Sequence, residues 1–288
     1  MHPVLLDLGI FKLHTYGLMI ALAFLVGMQL ASREARRVDR SPERNFDQFI
    51  LDLCFWILIW AMIGSRVLFI IVNWDDYSRD LLKIFRIWEG GLVFYGGLIG
   101  ATGFAIYYTK SKGHDFFQVA DILIPYVALG SMFGRIGCFA AGCCWGAVVD
   151  ADFALGVQFP RESLAYASMV RSGLAAATDA FTPHVHAVQM YDACGELVLF
   201  TLLSLARGYK RFHGQIFLMF MTTYPMWRST METFRGDKER GTGVLGTPLS
   251  TSQFISAVIA SLAIATFFYV RKRMKDREAA PPAAAASA

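Results

Sequence analysis

Charged side chains are scarce in this chain. Asp, Glu, Lys and Arg make up 17% of its 288 residues, against about 25% in an ordinary soluble domain. Three runs contain none at all: Leu13 to Ser32, Gly90 to Thr109 and Val244 to Val270. That scarcity excludes a conventional water-soluble domain. No internal repeat and no domain boundary can be found, which excludes a solenoid or array and leaves one domain. The start, Met1-His2-Pro3, has no basic n-region and is followed by no small-residue cleavage site. A cleaved signal peptide is therefore not expected, and the first apolar run should insert uncleaved. Cys-x-x-Cys spacing is missing among the five cysteines, which argues against the usual zinc motifs.

What remains is apolar: 55% hydrophobic residues, with mean hydropathy +0.43. A span needs about 20 mostly apolar residues, and the three charge-free runs meet that length. Four more runs, 49–72, 116–140, 188–206 and 214–234, are broken by one or two charges. The expected fold class is an all-α integral membrane protein with seven transmembrane helices, at 13–32, 49–72, 90–109, 116–140, 188–206, 214–234 and 251–270. They form a single polytopic domain over 1–278, followed by an Ala/Pro-rich disordered tail at 279–288.

Lys and Arg set the orientation. Fifteen fall in the loops 33–44, 110–113, 207–213 and 271–277, nine in the opposite loops, and Arg66, Arg135 and Arg228 complete the 27. The N-terminus should face outward and the C-terminus the cytoplasm. The net charge of +4 is mostly this bias, so it gives no argument for nucleic acid. The segment 145–187 then lies outside as a small head. Residues 74–89, rich in aromatics and charges, suit an amphipathic segment at the interface.

Charge inside spans is expensive and marks function. Residues 134 to 146 hold Arg135, four glycines (134, 137, 142, 146) and three cysteines (138, 143, 144) at the end of a span. Arg228 and Glu232 are four apart and share a helix face. Arg66, Tyr16, Tyr95, Asp192 and Glu196 lie in other spans, mostly toward their outer ends. Structural ion pairing is one reading of these arginines. The other is a phosphate, which a guanidinium grips with two parallel hydrogen bonds, and in a membrane the obvious phosphate is a phospholipid head group.

Several stretches, taken in order, resemble the prolipoprotein diacylglyceryl transferase family. They are Leu13-His14-Thr15-Tyr16-Gly17-Leu18-Met19, Phe85-Arg86-Ile87-Trp88-Glu89-Gly90-Gly91, Tyr95-Gly96-Gly97-Leu98-Ile99-Gly100 and Phe117-Gln118-Val119-Ala120-Asp121. Further on come Gly134-Arg135-Ile136-Gly137, His186 with Gln189, Tyr191 and Asp192, and Arg228 with Glu232, Phe234 and Arg235. The resemblance implies transfer of the diacylglyceryl group of phosphatidylglycerol to the lipobox cysteine thiol of prolipoproteins, with glycerol phosphate leaving. It implies a multi-pass protein of the bacterial cytoplasmic (inner) membrane whose active site faces the periplasm. The partners are phosphatidylglycerol, prolipoprotein signal peptides and membrane lipids, with no nucleic acid, no cofactor and no metal ligand.

By the same resemblance, Arg135, Arg228, Tyr95 and Tyr16 are the catalytic candidates. Arg135, Gly134, Gly137, Cys138, Cys143, Gly146, Glu232, Arg66 and Arg235 are the substrate-binding candidates. A thiolate must displace a phosphate ester at carbon, so the site needs a deprotonated thiol and a stabilised leaving group. Arg135 and Arg228 would hold the phosphate, and Glu232 would orient Arg228.

Three positions depart from the family pattern. Tyr95 stands where a histidine is usual, Cys138 where an asparagine is and Cys143 where a glutamate is. A tyrosine, with its ordinary pKa near 10, is a poor base for a thiol. The clustered cysteines admit four readings: buried small side chains, a disulfide on the outer face, a metal site with His184 or His186, or a reactive thiol. Orienting its loop is an equal reading of His186. The departures keep two other functions open, a paralogue with a different lipid or acceptor and a non-catalytic phospholipid-binding membrane protein.

Overall fold

The computed structural model describes residues 4–7, 9, 12–39, 45–78, 80, 83–84, 86, 90–236 and 249–279, without the side chains of 12 and 273–279. A short antiparallel pair, β1 (Val4–Asp7) and β2 (Lys12–His14), leads into α1 (Thr15–Val38). Then follow α2 (Phe46–Val72), the single turn α3 (Trp74–Tyr77), α4 (Phe94–Ser111) and α5 (Phe116–Ala141). A second small pair, β3 (Gly156–Val157) and β4 (Val185–His186), brackets α6 (Leu164–Arg171). The chain continues with α7 (Val188–Ala206), α8 (Gln215–Glu232) and α9 (Thr251–Ala279).

Among the described residues, five helices are long and apolar enough to cross a membrane: α1, α2, α5, α7 and α9. By length and composition this is a mostly helical, multi-pass membrane protein. The 18-residue helices α4 and α8 are not among the five. Of the expected interfacial segment 74–89, residues 79, 81–82, 85 and 87–89 lie outside the described residues, as do 280–288 of the expected tail.

The chain divides into two compact units, Val26–Leu123 and Met1–Leu25 with Ile124–Ala288. In the first, α2 and α4 pack along a seam of small residues. A Cβ on Gly100 would fall on the Trp60 carbonyl oxygen, and one on Gly96 would meet the Gly64 carbonyl, with Leu68 Cβ at 2.6 Å. Gly96 and Gly100 thus form a G-x-x-x-G face that lets two apolar helices touch backbone to backbone. Beside it runs an aromatic stack: Phe49 on Tyr108 (5.5 Å), Tyr108 on Phe104 (5.5 Å) and Phe104 on Trp60 (5.4 Å).

In the second unit, Ala128 of α5, Leu199 and Leu203 of α7, and Ile216 and Phe220 of α8 make one buried cluster. The segment 145–187 builds a small head around a second cluster of Phe159, Ala165, Met169 and Val185. The Ser163 hydroxyl caps α6, accepting the Tyr166 N–H at 3.1 Å. The Tyr166 hydroxyl in turn donates to the carbonyls of a following turn, Asp179 O at 2.8 Å being nearest. β3 and β4 pair antiparallel, Gly156 opposite His186 and Val157 opposite Val185, which returns the chain to the start of α7.

Candidate active site

Gln189, Asp192 and Glu196 follow one another on α7 at i, i+3 and i+7, so one helix face carries all three. All are buried, at 1%, 2% and 1% exposure. Polar groups at that depth need partners. Gln189 donates from Nε2 to the Cys143 carbonyl at 2.7 Å. Glu196 accepts from the Ser131 hydroxyl at 3.1 Å. Asp192 pairs with Arg135, its Oδ2 lying 3.1 Å from Nε. The same carboxylate is within electrostatic reach of Arg228 and Arg235. The sequence reading placed Asp192 and Glu196 inside the membrane but did not include Gln189 or Ser131 among the site residues. The signal for Gln189 is its place with Asp192 and Glu196 at i, i+3 and i+7 on one face of a mostly apolar helix.

On α8, Arg228 and Glu232 meet as their spacing predicts, Nη2 to Oε2 at 2.5 Å. Neither ion pair lies on a hydrogen-bond axis: Asp192 Oδ2 and Glu232 Oε2 are buried and accept no directed hydrogen bond from described residues. Nη1 of Arg228 is likewise buried, and it donates to no described residue. A charged donor without an acceptor at that depth is costly.

Tyr16 opens α1 and packs on the signature stretch of α5. A Cβ on Gly137 would come within 3.1 Å of the Tyr16 ring and 3.2 Å of Met19 Cβ, and one on Gly134 within 3.7 Å of Ile20. Tyr16 remains 44% exposed, and Arg135 and the three clustered cysteines lie within electrostatic reach of it. Gly146 joins three segments. Its N–H donates to the His186 carbonyl at 3.2 Å, and neighbouring bonds run from Ala147 to Phe234 (2.8 Å) and from Gly236 to Trp145 (3.2 Å). A Cβ there would meet His186 Cβ at 2.5 Å. Arg235 sits on this seam opposite Gly146.

His186 is packed among rings, with Phe153 at 5.0 Å and Phe234 at 5.4 Å, and its Nδ1 is 3.4 Å from the Tyr191 hydroxyl. That environment fits the loop-orienting role.

Cys138, Cys143 and Cys144 are free thiols, with Sγ atoms all within 4.8 Å of one another. Neither His184 nor His186 joins them. Hydrogen bonds from the Cys138 and Cys143 thiols, followed by the Arg235 charge, hold the Cys144 thiol below its ordinary range. Cys143 is pushed up by the neighbouring Cys138 and Cys144 sulfurs and by burial, and its thiol donates to the Cys138 carbonyl at 3.7 Å.

Arg66 and Tyr95 belong to the other unit. Tyr95 stands in the first turn of α4, 52% exposed. Arg66 is 6% exposed, and all five of its N–H groups face backbone carbonyls. Nε donates to Ile84 (3.1 Å), Nη1 to Gly90 (2.7 Å) and Gly91 (3.2 Å), and Nη2 to Lys83 (2.6 Å) and Arg86 (3.2 Å).

A family model described as prolipoprotein diacylglyceryl transferase matches residues 3–269. The chain belongs to the prolipoprotein diacylglyceryl transferase family. Relatives named phosphatidylglycerol–prolipoprotein diacylglyceryl transferase include one from Clostridium tetani, 31% identical over 268 residues, 93% of this chain and 97% of that one. The Vibrio cholerae relative is 31% identical over 286 residues, 96% and 95% of the two chains. The Trichormus variabilis relative is 29% identical over 279 residues, 94% and 91%. The matched range spans both units and includes the positions of the polar site.

Proposed function

We propose that this protein transfers the diacylglyceryl group of phosphatidylglycerol to the lipobox cysteine of prolipoproteins, releasing glycerol phosphate, the first step of lipoprotein maturation. Family membership over nearly the whole chain supports the reaction class. The single observation that carries the chemistry is the bare, buried Nη1 of Arg228 in the unit that also holds the Arg135–Asp192 pair. Two guanidiniums, each anchored on one side by a carboxylate, present their remaining donors to a phosphate. As the carbon–oxygen bond breaks, charge grows on that phosphate, and preorganised donors lower the barrier. Asp192 and Glu232 are the positioning residues for Arg135 and Arg228. Gly137 lets Tyr16 stand against the same stretch, and Gly146 and Arg235 hold its outer end. Arg66 acts from the other unit as the brace of the 83–91 segment, its donors being fully engaged there.

The enzyme sits in the bacterial inner membrane with seven spans, N-terminus outside and the site toward the periplasm. Helices α4 and α8 supply the two further crossings. Eighteen residues of helix reach about 27 Å, close to the hydrocarbon thickness of about 30 Å, and the Lys and Arg bias supports the orientation.

The test is direct. Purified protein, phosphatidylglycerol vesicles and a lipobox peptide should yield glycerol phosphate and a thioether-linked peptide. Arg135→Ala should lower the rate by about 100- to 1,000-fold, the usual cost of one transition-state charge donor. Tight phosphatidylglycerol binding without turnover in the wild type would instead make this a lipid-binding protein.

A further inference from the structure

The transferase reading leaves one chemical requirement without an owner. The incoming thiol must be deprotonated, and Tyr95 stands where the family pattern has a histidine. The three cysteines on the outer end of α5 offer another way.

Their convergence is built. Cys138 is on the last turn of α5, and the chain then reverses through Gly142 at φ +67° and Cys144 at φ +58°. A left-handed non-glycine residue is uncommon and strained, so the fold must hold it there. It does so by anchoring the turn on three sides. The Cys143 N–H donates to the Cys138 carbonyl at 3.0 Å, Ala165 N–H to Gly142 O at 2.7 Å, and Gln189 Nε2 to Cys143 O at 2.7 Å. The result is three partly buried sulfurs within 4.8 Å of one another, with no histidine or carboxylate completing the group among the described residues. A zinc-type ion binds thiolates at about 2.3 Å, which sets sulfurs about 3.8 Å apart in a tetrahedron. Sulfurs within 4.8 Å of one another need close by no more than about 1 Å to reach that spacing. Arg235 lies within electrostatic reach of Cys144, where a group can orient ligands from behind. Arg135 lies within electrostatic reach of Cys138 and Cys144.

We infer that Cys138, Cys143 and Cys144 bind a thiophilic divalent cation of the zinc type, whose open fourth position takes and activates the lipobox thiol. This rests on the transferase reading. Three protein ligands with one open position is the arrangement of catalytic rather than structural zinc, and a coordinated thiol is deprotonated outright. The step balances. The lipobox S–H coordinates and its proton goes to water. The metal-bound sulfur attacks the glyceryl carbon, forming the carbon–sulfur bond as the carbon–oxygen bond to phosphate breaks. The electron pair leaves with glycerol phosphate, held by Arg135 and Arg228. The thioether product is neutral and a weaker ligand, so water replaces it. Cys138 and Cys143 thus stand where the family has asparagine and glutamate because, with Cys144, they activate the thiol by coordination.

Cobalt(II) is the probe. Full-length protein, purified in detergent under reducing conditions and freed of metal, is titrated with it. The expected result is a sulfur-to-cobalt charge-transfer band that saturates at one equivalent and disappears on adding Zn2+. A lipobox peptide should alter the visible cobalt bands, and the same peptide with its cysteine replaced by serine should not. Cys143→Ser with Cys144→Ser should abolish the band. In the wild type, Zn2+ should protect Cys138, Cys143 and Cys144 from maleimide while Cys54 and Cys194 label unchanged, which guards against misfolding of the variant. Absence of the band, or a band indifferent to the thiol peptide, overturns the inference. Full transfer by the chelator-held, metal-free wild type overturns it too and leaves the transferase reading standing. A peptide-responsive cobalt site without any transfer from phosphatidylglycerol supports the metal site and overturns that reading.

Discussion

Arg66 and Arg228 look alike in the sequence: each is an arginine within an apolar helix. Their surroundings could hardly differ more. Arg66 spends its five N–H groups on the carbonyls of Lys83, Ile84, Arg86, Gly90 and Gly91, with the Phe69 and Tyr77 rings 5.9 and 5.4 Å from its guanidinium carbon. Arg228 meets one carboxylate and leaves Nη1 buried without a protein acceptor. A saturated arginine stabilises the segment it holds. An unsaturated one is a cost to the fold unless something else binds it, and such costs collect at functional sites.

Replacing each in turn should therefore separate the two. Arg228→Ala should lower transfer by about 100- to 1,000-fold, or roughly 3–4 kcal/mol at the transition state. Arg66→Ala should appear first as lost stability, about 3 kcal/mol for several charge-assisted hydrogen bonds, with protease cleavage in the 83–91 segment. If Arg66→Ala folded like the wild type and lost only activity, the two arginines would share one role and the contrast would collapse.

The seam of the first unit gives a smaller effect of a different kind. Gly96→Ala puts a methyl against the Gly64 carbonyl and Leu68. Overpacking of this sort costs about 2 kcal/mol. Urea or thermal melts of the detergent-solubilised protein should read it as a stability loss of that size. An unchanged melt would mean that α2 and α4 slide apart freely and that the glycine face is not what joins them.

How much of this was legible beforehand follows from the range of each interaction. The long apolar runs announce themselves because hydropathy is a local property, and the Arg228–Glu232 pair because i, i+4 spacing fixes its geometry. The intramembrane position of Asp192 was legible, but its pairing with Arg135 was only one option, since it depends on how two helices meet. Arg66 was opaque. Its partners are backbone carbonyls, which every residue has and no sequence marks. The cysteine cluster falls between these cases. Three cysteines within seven residues could be counted, but their convergence depends on the left-handed conformation of Cys144, which residue identity does not forecast. The order of the family motifs supplied what physics could not, the reaction class.

The smallest expected effect lies in the head. Ser163 is 2% exposed, and its hydroxyl both accepts from the Tyr166 N–H and donates to the Pro160 carbonyl at 2.6 Å. Loss of such a cap costs about 1 kcal/mol. Ser163→Ala should therefore raise amide exchange across α6 by about fivefold, since 1.4 kcal/mol corresponds to a factor of about ten. The consequence reaches further than α6. The Gly142 carbonyl accepts from the Ala165 N–H in the first turn of that helix, so a frayed α6 loosens the turn that carries Cys143 and Cys144. Exchange should rise at Ala165 with the rest of α6. An increase confined to residues beyond Ala165 would show that the turn is held by Gln189 and the Cys138 carbonyl, and that the head and the cysteine cluster are independent.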